Sequence, residues 1–306
     1  MSEHLTHIAV YEDCARLAIL SKWINEAFTN SLKDHPDIGL LASASRGNHL
    51  YAVPIIEKAK SLNSNELKKK ENKMKLAASV GWITHRAADL QTKPLVKTID
   101  YKKETRFEES EFEIYQDAVT WDKVYSGGKQ KSWSENVWLS PAVMETGMSS
   151  HPAANAINVD ETELLLAILV QRSLLEEHKF TKDQKDFEKW LKIFLERRQK
   201  YSEDYRVYID AYQNPNPEKM QKYIYDTNFY NEDDELIRLA RSLQKGSAEK
   251  NISINEAIEK AENQSHYAQA LYKGMLYLKA ANDFYEGREN KDHVYDTMDI
   301  QGDHRL

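Results

Sequence analysis

Apolar residues recur three and four positions apart along most of this chain, which is the spacing of one face of an α-helix. The pattern is clear in residues 4–30, at Ile8, Tyr11, Ala15, Ala18, Ile19 and Trp23. Glycine (10) and proline (7) are scarce among the 306 residues, and this favours long helices over turn-rich β structure. The sequence therefore predicts an all-α fold, built as a multi-helical bundle.

The same spacing indicates helices in residues 1–125, which carry the predicted metal site, and in the C-terminal half of the chain. Further helices are predicted over 48–61, 64–91, 104–125, 160–178, 181–201, 203–212, 217–226, 232–245 and 253–285. Pro94 is expected to stop the helix that Ser64 begins, and residues 126–158 break every period, which predicts an irregular lid or connection. Because no Pro/Gly/Ser linker separates the helices of 159–287, we expect 1–306 to be a single domain. The polar tail, 288–306, is expected to be disordered.

Charge and cysteine content narrow the classes of partner. The formal charge of −7 argues against a duplex nucleic acid as the main partner, since such surfaces need clustered basic residues. The single cysteine fits a reducing compartment, and the first residues show no signal peptide. No apolar run reaches the length of a transmembrane helix. These features predict a cytoplasmic protein without a transmembrane segment.

The most informative segment for chemistry runs from Gly81 to Asp89. His85 and Asp89 lie four residues apart, so they share one face of a helix, and Trp82 and Ala78 make that face apolar. A buried imidazole and a buried carboxylate are costly unless they are paired or bind a metal ion. The segment therefore predicts either a His–Asp hydrogen bond inside a helix pair or part of a metal site.

Three other helices offer possible ligands. His7 lies on the N-terminal helix, His49 follows the small-residue stretch 39–47, and Glu109, Glu113 and Asp117 are spaced four apart. A metal centre in a helical bundle takes one or two inward ligands from each of several helices. The alternatives are a surface position for His7, a helix cap at His49 and a solvated face for the three carboxylates.

In chain order, three blocks resemble the zinc-dependent phospholipase C family, the helical superfamily that also contains the S1/P1-type nucleases. They are Thr6-His7 opening a helix, the Gly-led block from Gly39 to His49, and the Gly-aromatic-x-x-His-x-x-x-Asp helix from Gly81 to Asp89. The blocks cover residues 5–95, and the fourth helix extends the resemblance to about residue 117.

The resemblance implies the phospholipase C/P1 nuclease fold and a cluster of zinc ions held by His7, His49, His85 and Asp89. The family also has a later His-x-x-x-Glu pair. The matching positions here are Glu109 and Glu113, so Glu113 keeps its role and Glu109 replaces a histidine. Glu113 with Asp117 is an alternative frame for the same pair.

The chain departs from the family pattern at two further ligands. Ala42-Ser43-Ala44-Ser45 stands where the family has Pro-Asp, with Asp37 as the nearest carboxylate, and Lys93 and Leu95 flank Pro94 where the family has a histidine. Such losses remove a metal, change its identity or abolish catalysis. A set richer in carboxylates suits Mn²⁺ or Fe as well as Zn²⁺.

The function predicted from this resemblance is metal-dependent hydrolysis of a small-molecule or lipid-head-group phosphate ester by a metal-bound hydroxide. Asp89 or Glu113 would bridge metals and orient the hydroxide, while Arg46 and Arg86 would neutralise phosphate oxygens. For both arginines, a surface position or a carboxylate partner is the alternative. The competing prediction for the whole chain is a catalytically degenerate helical binding or scaffold protein with one metal or none.

Overall fold

The computed structural model describes residues 4–44, 49–98, 109–126, 130, 211, 214–247, 249 and 251–301. Within these ranges the chain forms helices and turns and no strand, which confirms the predicted all-α class there. The helices predicted over 160–178, 181–201 and 203–212, and nearly all of the predicted lid, lie outside the described residues. None of the described helices is long and apolar enough to cross a bilayer.

The N-terminal part contains the helices that carry the predicted ligands. They are α1 (His4–Leu20), α2 (Glu26–Asp34), α3 (Pro36–Ala44), α4 (His49–Lys60), α5 (Ser64–Leu67), α6 (Lys70–Thr98) and α7 (Glu109–Tyr125). The C-terminal part adds α8 (Pro217–Met220), which continues as a π-helical turn (Gln221–Tyr225), then α9 (Glu235–Gln244), α10 (Ile254–Ala261), α11 (His266–Tyr285) and α12 (Lys291–Thr297).

The helix predicted over residues 4–30 is in fact two helices, because Asn25 begins a new one. The Asn25 side chain accepts a hydrogen bond from the Ala27 amide at 2.9 Å and so caps α2. Its own amide donates to Asn282 Oδ1 of α11 at 2.7 Å. A similar cap at Ser265 divides the helix predicted over 253–285 into α10 and α11.

Two predictions are wrong, one about the end of a helix and one about the C-terminal tail. Pro94 lies inside α6 and does not stop it, although a proline removes one backbone hydrogen bond. Leu95, directly after it, is buried in the core, so packing offsets that loss. The tail was expected to be disordered, yet α12 forms there and buries Val294 and Tyr295, because an apolar pair four and five residues after a capping Asn290 can dock.

Helix α6 lies against α1, α2, α3, α4 and α11, and the described helices share one continuous apolar core. Its closest neighbour is α3, where a Cβ added to Gly81 would meet the Gly39 carbonyl oxygen at 2.1 Å. A Cβ on Gly39 would in turn meet the Tyr11 hydroxyl of α1 at 2.1 Å. The small-residue stretch therefore serves close approach between helices, and this approach brings the backbone of α3 to the histidine on α6.

Candidate metal centre

Three of the predicted metal ligands meet between α1 and α6. His7 Nε2 lies 2.9 Å from Asp89 Oδ1, and His85 Nε2 lies 3.5 Å from Asp89 Oδ2. The two imidazole rings stack with centroids 4.3 Å apart. One ligand atom from each side chain falls within 4.8 Å of the others. We call His7, His85 and Asp89 the candidate metal centre.

Helix geometry and burial explain how the three side chains converge. His85 and Asp89 are one turn apart on α6, and α1 crosses that face near its N-terminus, where it presents His7. Both histidines are 1% exposed, whereas the Asp89 side chain is 18% exposed. The centre is therefore closed on the imidazole side and reaches solvent only along the carboxylate.

The backbone of α3 decides which nitrogen of His85 carries the proton. His85 Nδ1 lies 2.7 Å from the Ser43 carbonyl oxygen, which can only accept a hydrogen bond. Nδ1 must therefore be the donor, and Nε2 of the neutral ring is left with a lone pair. That lone pair faces the carboxylate of Asp89, so two acceptors meet.

At neutral pH the His85 ring stays uncharged and the Asp89 carboxyl stays ionised, so the two acceptors continue to face each other. Burial, and then the neighbouring His7 ring, lower the pKa of His85 to about 4, so its ring is uncharged. His85 Nε2 accordingly has no hydrogen-bond partner although it is buried. Burial raises the pKa of Asp89, but the hydrogen bond from His7 outweighs it and holds that pKa well below its usual range. A cation between Nε2 and Oδ2 would satisfy both groups.

Lys93 supplies the nearest positive charge on the solvent side. It lies one turn beyond Asp89 on α6, and its Nζ is 2.5 Å from Asp89 Oδ2. The side chain is 36% exposed. In the sequence, Lys93 appeared only as a residue beside Pro94 where a ligand was missing, although its spacing from Asp89 was a signal for this contact.

The remaining predicted site residues are not brought to this centre by any described contact. Arg46 lies outside the described residues, and the side chains of His49, Glu109 and Glu113 do as well, although their backbones belong to α4 and α7. The guanidinium of Arg86 donates to the backbone carbonyls of Met298, at 3.2 Å, and of Asp299, at 3.0 Å. These bonds give Arg86 a structural role in holding the C-terminal turn against α6.

Asp117, the alternative partner of Glu113, serves α1 as a cap. Its carboxylate accepts from the amides of Leu5 at 3.2 Å and Thr6 at 2.8 Å, and from the Thr6 hydroxyl at 2.8 Å. The carboxylate thus supplies acceptors for amides in the first turn of α1, which have no partner within the helix. The carboxylate stabilises the helix that presents His7, so α7 contributes to the centre by positioning α1.

Comparison with known proteins adds no family to this geometry. No protein-family model matches the chain, and neither a curated protein nor a solved structure matches it. The interpretation of the centre therefore depends on its own residues.

Proposed function

We propose that this chain binds a divalent metal ion at His7, His85 and Asp89 and hydrolyses phosphate esters with it, as the zinc-dependent phospholipase C family does. One observation carries the proposal. The buried Nε2 of His85 has no donor to meet and faces a carboxylate oxygen 3.5 Å away. A structural His–Asp pair would place a proton between these two atoms, whereas a metal site places an ion there.

The three side chains fit a zinc ion in number, type and spacing. Zinc in catalytic sites takes three protein ligands and leaves a fourth position open, and its ligand atoms lie about 3.3 Å apart in a tetrahedron. The nitrogen-to-oxygen distances are 2.9 Å to Oδ1 and 3.5 Å to Oδ2, and one ligand atom from each side chain lies within 4.8 Å of the others. The Ser43 carbonyl supplies the outer hydrogen bond that zinc-binding histidines need. Mn²⁺ and Fe²⁺ accept the same donor types.

The residues of the chain would divide the work as follows. A bound divalent ion lowers the pKa of a coordinated water to near 7 and polarises a phosphate oxygen. His7 Nε2 donates to Asp89 Oδ1, so coordination through Nε2 would require the neutral ring to carry its proton on Nδ1 instead. Asp89 is the one partly exposed member, so it lies on the side from which water and an ester would approach.

The second candidate function is a helical protein that binds one ion without turnover. The hydrogen bonds of Asp117 favour this candidate. Its carboxylate accepts from the amides of Leu5 and Thr6 in α1, so it does not add a ligand to the centre. Among the described side chains only one three-membered group fits a metal ion. A site with a single ion has no second metal to stabilise the leaving oxygen, as two-metal phosphodiesterases do.

The metal content of the purified protein tests both candidates. We expect about one zinc ion per chain by elemental analysis, and Asp89→Asn to weaken zinc binding by about 100-fold, since it removes the only charged ligand. His266→Ala is the matched control, because His266 is a partly buried histidine on α11 outside the centre. Absence of metal, with no change in melting temperature on adding a chelator, would refute the metal site.

Turnover separates the two candidates once metal is found. Hydrolysis of an aryl phosphodiester by the zinc-loaded protein, lost in Asp89→Asn and kept in His266→Ala, would support the hydrolase. Zinc binding without hydrolysis of aryl phosphodiesters or phosphomonoesters would select the binding protein.

A further inference from the structure

We propose that Lys93 couples metal binding to the binding of a phosphate-type oxyanion at the same centre. In the metal-free state its ammonium rests on Asp89; a metal ion displaces it, and it then binds the oxyanion. This inference depends on the metal site proposed above and assigns a role to a residue that the resemblance left as a missing ligand.

The competition follows from a shared oxygen atom. Lys93 Nζ lies 2.5 Å from Asp89 Oδ2, the oxygen that His85 Nε2 faces at 3.5 Å. The other oxygen, Oδ1, already accepts from His7. A metal ion bound between His85 Nε2 and Asp89 Oδ2 therefore competes with the ammonium for that oxygen, because two cations at contact distance from one oxygen repel each other.

Charge then explains why the displaced ammonium would recruit an anion. The metal-bound centre contains two neutral imidazoles, one carboxylate and a divalent ion, and Lys93 adds a further positive charge. The sum is two positive charges at a centre where Asp89 is the one carboxylate. A phosphate oxyanion would neutralise this excess, and lysine binds phosphate as a point charge on a flexible stem.

The position of Lys93 permits the movement. Its side chain is 36% exposed, while both histidines are buried, so the ammonium lies at the solvent edge of the centre. Lys279 and Asp283 on α11 form an ion pair with the same four-residue spacing, at 2.7 Å. That pair offers a matched control, because it belongs to no metal-type group among the described side chains.

Zinc affinity with and without inorganic phosphate tests the coupling. We measure it by competition with a fluorescent chelator for the wild type, Lys93→Met, Lys93→Arg and Lys279→Met. Without phosphate, Lys93→Met is expected to bind zinc about 10-fold more tightly, since the competing charge is gone. Saturating phosphate is expected to raise the zinc affinity of the wild type by about 10-fold, within the usual range of coupling between two ligands, and that of Lys93→Met by less than about 2-fold.

Arginine at position 93 keeps the charge, so Lys93→Arg should retain the phosphate effect, and Lys279→Met should match the wild type. Equal zinc affinity and equal phosphate effects in the wild type and Lys93→Met would overturn the role of Lys93 and leave the metal site standing. A reduced phosphate effect in Lys279→Met would also overturn it, since general surface charge would then be the cause. No zinc binding in either the wild type or Lys93→Met would refute the metal site itself.

Discussion

Helix α1 carries two buried polar clusters, and they differ in how their charges are met. The candidate metal centre begins at His7. The second cluster lies one to two turns further on, where Glu12 and Asp13 meet basic and phenolic side chains from other helices. We call it the ion cluster, and its members are Glu12, Asp13, Arg16, Tyr125, Arg241 and Tyr267.

Both carboxylates of the ion cluster meet donors from the chain. Asp13 accepts from the Tyr267 hydroxyl at 2.8 Å and from Arg16 at 3.2 Å, and it forms an ion pair with Arg241. Glu12 accepts from Arg16 at 3.2 Å. Two carboxylates thus face two guanidinium groups. Burial disfavours the charge of Arg241, but the carboxylate of Asp13 outweighs it and raises the pKa of that guanidinium.

The comparison shows what separates a structural cluster from a ligand site on the same helix. The ion cluster matches each carboxylate with a cationic donor from the chain itself. In the candidate metal centre the Lys93 ammonium reaches Asp89 Oδ2, but the lone pair of His85 Nε2 faces that same oxygen and meets no donor. Burial costs both sites free energy, yet only the metal centre leaves an acceptor for an external cation.

The largest expected effect is on the ion cluster. Arg241→Met should lower the free energy of unfolding by about 3–5 kcal/mol, because it removes one of the two guanidinium groups that pair with the buried charge of Asp13. Urea unfolding measures the loss. Zinc affinity of the folded protein should stay unchanged, since Arg241 does not belong to the metal centre.

The control for this change is Arg238→Met. Arg238 lies on α9 like Arg241, but it is exposed and pairs with Glu249. Exposed pairs contribute less than about 1 kcal/mol. Similar losses in the two variants would show that Asp13 does not need Arg241, and the distinction between the clusters would fail.

The next effect is the dependence of the metal-free protein on pH. His85 has a pKa of about 4 when folded and about 6.5 when unfolded, so the unfolded state binds more protons between these values. The free energy of unfolding should therefore fall as pH drops from about 6.5 to about 4, by up to about 3 kcal/mol. Urea unfolding in the presence of a chelator, at steps from pH 7 to pH 4.5, follows this decrease.

His85→Asn removes the titrating ring and keeps a side-chain N–H that can reach the Ser43 carbonyl. Its unfolding free energy should change less with pH than that of the wild type, whereas His293→Asn, at an exposed position of α12, should not alter the dependence. If the free energy of unfolding changed equally with pH in the wild type and in His85→Asn, burial would not be what keeps the His85 ring neutral.

The smallest effect concerns the carboxylate that the sequence offered as an alternative ligand. Asp117→Ala removes the cap of α1 and should cost about 1–2 kcal/mol in urea unfolding, because the amides of Leu5 and Thr6 lose their acceptor. Zinc affinity should fall by less than about 3-fold, since the cap acts only on the helix position. Asp117→Asn keeps an acceptor oxygen and is the matched control. A loss of zinc as large as that of Asp89→Asn would place Asp117 among the ligands.

Much of the described fold was predictable from local pattern. Helices α4 and α9 lie close to their predicted bounds, and Gly246 follows α9 with a positive φ of 78°, a conformation that glycine adopts readily. The predicted helix bounds are wrong where a capping residue or a proline competes with packing. Asn25 divides the first predicted helix, and Pro94 lies inside α6, where Leu95 directly after it is buried.

The sequence by itself determined the helical class and the shared face of His85 and Asp89, because both follow from a period of 3.6 residues within one helix. Only the tertiary structure decided that His7, 82 positions from Asp89, joins them, and that the Ser43 carbonyl selects the tautomer of His85. It also decided that Asp117 caps α1 and that Arg86 binds backbone carbonyls. Such contacts depend on how closely separate helices approach, and here glycines at positions 39 and 81 set that distance.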